Sequence, residues 1–156
     1  MKPSATGPML VRRRLLQGAA ALAVARALPS VAAPELPDIP LLMQLLAGRT
    51  PRWERLRLEL PALADNGLAV PMKLAMSGPF APGPTVQAIH LFSEKNPVPD
   101  MAVFEFPVPL EKIEIDSRVR LAGTQKVVAV AVMSDAALYA AMAEVVVTIA
   151  ACLDGS

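Results

Sequence analysis

The one cysteine of the 156-residue chain, Cys152, lies four residues from the C-terminus, just beyond the run V-V-V-T-I. Free cysteines are usually buried small hydrophobes. Here the segment A-A-C-L-D-G-S forms a terminal tail, where chains fray and side chains meet solvent. A thiol in such a place can enter the active site of another protein, accept a group and release it to the next. Sulfur suits this work because the thiolate is a good nucleophile and a reversible leaving group. No basic residue follows Lys126, and Asp154 disfavours the thiolate. Activation must then come from a partner, which fits a carried thiol better than a catalytic one.

The other candidate residues carry less chemistry. One cysteine excludes an internal disulfide framework and any multi-cysteine metal site. His90, the one histidine, shares its strand face with Ala88 and Phe92 and reads as structural. Asn66 and Asn96 fall in turn segments and read as backbone-shaping residues. The acidic residues form no paired constellation, and no phosphate-binding glycine loop or hydrolase motif is present.

Residues 1–32 read as an export signal. The basic stretch ending in Arg12-Arg13-Arg14 precedes an Ala/Leu-rich run, then Pro29 and the small residues Ser30-Val31-Ala32, with cleavage expected after Ala32. The string V-R-R-R-L-L-Q resembles a twin-arginine motif, and Arg26 behind the apolar run agrees with it. The bland alternative is a buried Ala-rich helix. The apolar run Leu15 to Ala25 has 11 residues, against the roughly 20 that a membrane span requires. We therefore expect a periplasmic protein with no membrane association in its mature form. Without this leader, 10 basic residues face 14 acidic ones, a net charge of −4. That balance argues against a nucleic-acid partner held by phosphate neutralisation.

The elements that position the tail follow from periodicity. Residues 33–55 read as a linker with one short helix: Asp38 as cap, Pro40 in the first turn, Gly48 at the end, and Leu41, Leu42, Leu45 and Leu46 on one face. Such a helix could lie over a sheet or against a partner. From Leu56 the period changes to two, beginning with R-L-R-L-E-L. Strands are expected at Leu56 to Leu60, Leu68 to Met76, Val86 to Phe92, Met101 to Phe106, Lys112 to Asp116, Arg118 to Ala122, Lys126 to Met133 and Glu144 to Ile149. Turns fall at Asp65-Asn66-Gly67, Pro79 to Pro84, Asn96-Pro97, Pro107 to Pro109 and Ser134-Asp135. The stretch Asp135 to Glu144 has helical propensity, but its place between two Val-rich runs favours a hairpin with one poor strand. Residues 56–149 thus read as an all-β, immunoglobulin-like sandwich, and residues 150–156 as its tail. With six aromatics, Val, Leu, Ala and the eight Met must fill the core.

From about Leu58 to Cys152 the chain resembles the SoxY family of sulfur carriers from the periplasmic sulfur-oxidising system. The resemblance rests on L-E-L-P-A-L-A-D-N-G-L-A-V-P, A-I-H-L-F-S-E-K-N-P-V-P-D-M-A-V-F, S-R-V-R-L-A-G-T-Q-K-V-V-A-V-A-V-M-S-D and V-T-I-A-A-C, in that order. It implies a covalent carrier and not an enzyme, with sulfur intermediates attached at Cys152. It also implies a heterodimer with a SoxZ-like subunit. A c-type cytochrome would load thiosulfate, a hydrolase would release sulfate, and a sulfane dehydrogenase would oxidise the remaining sulfur. No cofactor is expected on the chain itself. The tail departs from the family's usual V-T-I-G-G-C-G-G: Ala150 and Ala151 precede the cysteine and Leu153 and Asp154 follow it. Glycine reaches conformations closed to alanine and has no side chain, so this tail is bulkier than a glycine-flanked one. The rival reading is a divergent, non-carrying interaction module. A homodimer linked through Cys152 is weaker still, and a redox enzyme lacks a second cysteine or an activating base.

Overall fold

The computed structural model describes residues 34–78 and 82–149. Among the described residues one short helix, α1 (Pro40–Leu46), precedes eight strands. The strands are β1 (Leu56–Glu59), β2 (Leu63–Asn66), β3 (Val70–Met76), β4 (Val86–Ser93), β5 (Asp100–Glu105), β6 (Ile113–Val119), β7 (Gln125–Met133) and β8 (Leu138–Ile149). They form two sheets, ordered β1-β3-β6 and β2-β8-β7-β4-β5. All pairings are antiparallel except that of β2 with β8. This is the expected immunoglobulin-like sandwich.

The main core lies between the sheets. Leu56, Leu58, Val70, Met72, Leu74, Met76 and Ile113 from the three-stranded sheet meet Ile89, Leu91, Val127, Ala129, Ala131, Met133, Val145 and Val147 from the other. As the composition requires, methionine and branched aliphatics do the filling. The outer face of the three-stranded sheet is charged, with exposed pairs Arg57–Glu59, Lys73–Asp116 and Lys112–Glu114. Such pairs add little stability and keep that face solvated.

The outer face of the five-stranded sheet is different, because α1 covers part of it. Ile39, Leu42 and Leu46 pack on Phe92, Val128, Val130, Leu138 and Ala140, with Trp53 alongside. This explains the run V-V-A-V-A-V-M in β7. Val127, Ala129, Ala131 and Met133 face the sandwich, while Val128 and Val130 face the helix. A strand buried on both faces loses its polar alternation. Leu42 is fully buried, and burial of one such side chain contributes about 2 kcal/mol. Arg49 holds the helix end: its guanidinium donates to the carbonyls of Leu45 and Leu46 and to that of Ala136 in the β7–β8 turn.

Several boundaries differ from expectation. The helix N-cap is Ile39, with no side-chain capping bond, not Asp38; Pro40 does occupy the first turn. Ala47, ahead of Gly48, takes the left-handed C-cap, and Leu41 faces outward. The expected strands Lys112–Asp116 and Arg118–Ala122 are one strand, β6, since its pairing with β3 continues without a break through Ser117. The hairpin reading of Asp135–Glu144 holds, but the poor strand and the Val-rich one after it are continuous as β8. Tyr139, Ala141, Ala143, Val145 and Val147 pack on the sandwich core, and Leu138, Ala140 and Met142 on the helix side. Burial on both faces overrides helical propensity here.

The β7–β8 turn carries a strained residue. Ala136 has φ 63°, a conformation that costs an L-residue about 1–2 kcal/mol. Ala136→Gly is expected to raise stability by about 1 kcal/mol, offset in part by the entropy of the unfolded glycine. Thermal unfolding followed by circular dichroism should show a midpoint about 3–5 °C higher.

Candidate functional site

The predicted site residues Ala150, Ala151, Cys152, Leu153 and Asp154 lie outside the described residues, as does the expected leader 1–32. The structure does describe the root from which the tail departs. β8 runs between β2 and β7. Its last turn of sequence is anchored inward by buried Val145 and Val147. The Val146 amide donates to the Ala62 carbonyl at 2.9 Å, and the Gly67 amide donates to the Ile149 carbonyl at 2.8 Å. Val147 donates its amide to Thr124 Oγ1 at 3.0 Å. Backbone bonds therefore hold the strand up to its final residue.

β2 does much of this holding, and it was not anticipated. Asp65-Asn66-Gly67 reads as a turn, yet residues 63–66 form a short strand pairing in parallel with β8, Leu63 opposite Val146 and Asn66 opposite Ile149. The turn chemistry is still present one step later. Asn66 Oδ1 accepts from the Leu68 amide at 2.8 Å, an Asx turn. Gly67 then serves both sides, donating to Ile149 and accepting at its carbonyl from the Leu121 amide at 2.8 Å.

Leu121 belongs to the loop between β6 and β7, and that loop is fixed by Asn96. The Asn96 side-chain amide donates to the Arg120 carbonyl at 2.8 Å. Its Oδ1 accepts from the Ala122 amide at 2.9 Å and from Gln125 Nε2 at 3.0 Å. Gln125 is buried, and its Oε1 accepts from the Lys95 amide at 2.8 Å. So Asn96 does shape backbone, as read from the sequence, but across 24–29 residues and not within its own turn. The line Asn96, loop 120–124 with Gln125, Gly67, Ile149 supports the end of β8. Thr124, Gln125 and Gly67 were missed as members of it.

The remaining polar features lie elsewhere. His90 is half-buried on the helix side of its sheet and stacks on Phe92, with ring centroids 6.1 Å apart and planes 6° apart. This fits the structural role read from its strand face. Among the described residues no three His, Cys, Asp or Glu side chains come together as a metal-binding group. No described helix is long and apolar enough to cross a membrane. The Tyr139 hydroxyl accepts from Arg52 and Arg55 at 3.2 and 3.4 Å, but about 33 Å of strand separates Tyr139 from Ile149. That cluster belongs to the opposite end of the sheet.

Cys152 follows Ile149 by three residues, so its Cα lies at most about 11 Å from a firmly held strand end.

Comparisons with known proteins agree with the fold. The sulfur carrier protein SoxY from Chlorobium limicola f thiosulfatophilum matches in structure with TM-score 0.57 and 32% identity, over 70% of this chain and 96% of that one. A putative superoxide reductase from Thermotoga maritima matches with TM-score 0.50 and 14% identity, over 59% of this chain and 84% of that one, and shares the fold alone. No curated protein shows significant sequence similarity to the chain. The sequence profile described as "Sulfur oxidation protein SoxY" matches residues 43–152. That match takes in α1 from Met43, every strand and the terminal cysteine, and the chain belongs to the SoxY family.

Proposed function

We propose that this protein is an exported sulfur carrier that holds intermediates on Cys152 while partner enzymes act on them. The observation that carries the reading is the placement of the family's terminal cysteine three residues beyond Ile149, whose carbonyl Gly67 holds. In the first step the Cys152 thiolate and thiosulfate form an S–S bond, giving a cysteine S-thiosulfonate. The two electrons released would be taken up one at a time by c-type cytochrome, the oxidant of this step. Water then cleaves the terminal sulfone sulfur as sulfate, leaving a persulfide on Cys152 and releasing two protons. A sulfane dehydrogenase removes six electrons from that outer sulfur, with three waters supplying oxygen. A second hydrolysis returns the thiol. The chain works as a heterodimer with a SoxZ-like subunit in the periplasm, reached through the leader at residues 1–32.

Exposure of the purified heterodimer to thiosulfate and its loading cytochrome should add one S2O3 unit to the intact mass of the chain. An unchanged mass with an active cytochrome contradicts the reading. The tail supports a second reading, a non-carrying module, because Ala150, Ala151, Leu153 and Asp154 stand where the family has glycine. Replacing all four by glycine separates the two. The carrier reading expects loading before the change and equal or faster loading after it. No loading in either form favours the module.

A further inference from the structure

Among the described residues the two sheets leave four strand edges unpaired, on β1, β6, β2 and β5. An unpaired edge is a template for another strand, and charges along it discourage such pairing. β1 carries Arg57 and Glu59, β6 carries Glu114, Asp116 and Arg118, and the short β2 has Asp65 within it. β5 differs. Its charges, Asp100 and Glu105, stand at its two ends, with M-A-V-F between them. Pro97-Val98-Pro99 leads into the strand and Pro107-Val108-Pro109 leads out of it. Val98, Val103 and Val108 are exposed, at 68%, 42% and 60%. Proline is stiff and has no N–H to give, so these flanks confine an added strand to the residues between them.

The register shows which backbone groups are on offer. The Phe106 amide donates to the Gln87 carbonyl, and antiparallel bonds fall on every second residue. Phe104 therefore bonds toward β4, opposite Ile89, while Val103 and Glu105 turn amide and carbonyl to the open side. Beside that edge a cleft of about 370 Å³ opens between β5 and β6, its walls including Met72, Leu91, Met101, Phe104 and Val119. An added strand finds hydrogen bonds along β5 and apolar room for its inward side chains.

We infer, building on the heterodimer reading above, that the free edge of β5 receives an edge strand of the SoxZ-like subunit and extends the five-stranded sheet across the heterodimer. The incoming strand is apolar in its middle, with Lys or Arg at its ends. Charge selects it over a second copy of this chain. Asp100 and Glu105 are both exposed, and neither has an ion-pair partner among the described residues. In a two-fold pairing about Val103, each Glu105 would lie against Met101 of the other copy, next to its Asp100. Carboxylates brought together across strands are destabilising. A strand with basic ends instead neutralises both.

The test measures, by calorimetry, the dissociation constant between the mature chain and the SoxZ-like subunit for the parent, Val103→Pro and Glu105→Lys. Proline is tolerated on an edge strand where the N–H faces away from the ladder, and Glu105 is exposed. Each variant chain should therefore melt at the parent midpoint. We expect Val103→Pro to weaken binding about tenfold or more, since it removes an amide donor and leaves its acceptor unpaired. Glu105→Lys should weaken it about fivefold at low salt, with the difference shrinking as salt is added. Parent affinity in either variant overturns the assignment. A parent chain that self-associates through this edge also overturns it, if Val103→Pro turns that dimer into monomers and leaves binding of the other subunit intact. A parent chain with no affinity for the SoxZ-like subunit refutes the heterodimer reading itself, and the proposed occupant with it.

Discussion

A Cys152→Ser protein is expected to take up no sulfur from thiosulfate and the loading cytochrome, a loss of at least 100-fold against the parent. A serine hydroxyl stays protonated at neutral pH and has no sulfur with which to form the S–S bond, whereas a thiol has an accessible thiolate. The same protein should unfold within about 0.5 kcal/mol of the parent, as do most substitutions away from buried contacts. The described bonds at this end of the sheet terminate at the Ile149 carbonyl, so the cysteine lies beyond the last of them. Intact-mass measurement of the loading mixture, paired with a thermal melt, checks both halves. An adduct that persists in the serine protein, or a melt that collapses, contradicts the assignment of Cys152 as an attachment point.

The second large effect falls on stability. Asn96→Ala removes three hydrogen bonds at once, to Arg120, Ala122 and Gln125. Gln125 is buried and would keep its bond to the Lys95 amide while losing the partner of its own amide nitrogen. A buried group left unsatisfied costs about 1–3 kcal/mol, and an ordinary lost bond about 1 kcal/mol. The expected total is about 3 kcal/mol, read as a midpoint lower by about 10 °C. The loss should also reach the root of the tail, because Leu121 of the same loop donates to Gly67, which in turn holds Ile149. Amide hydrogen exchange at Gly67 and Val147 should accelerate in Asn96→Ala more than exchange at Arg52 or Ala140, which are bonded to each other at the far end of the sheet. Equal acceleration at both ends would mean that Asn96 contributes to global stability alone.

These residues also mark the limits of reading a sequence alone. The alternation of Leu56 and Leu58 predicts β1, and both are buried as required. The β7 run is plainly a strand, but nothing local says that its second face meets α1. Residues 63–66 read as a turn because Asn and Gly accept positive φ; they form a strand because β8 offers an edge more than 80 residues later. Asp135 to Glu144 is ambiguous because alanine suits a helix in isolation and a close-packed strand between two apolar layers. Asn96 resembles a turn residue for the same local reason, while its partners sit 24–29 residues on. Cys152 stands out by position alone, a single thiol outside any expected strand, and it lies outside the described residues. The hold on the strand end before it comes from the pairing of β2 with β8, which no periodicity displays.

Carriage of sulfur on Cys152 is the central claim. The most direct measurement is fragmentation mass spectrometry of the C-terminal peptide from protein isolated from its own cells during growth on thiosulfate. Added sulfane or thiosulfonate groups are expected on Cys152, removed by a reducing thiol and absent without a sulfur source. A free thiol under every condition, or an inter-chain disulfide unaffected by thiosulfate, would contradict it.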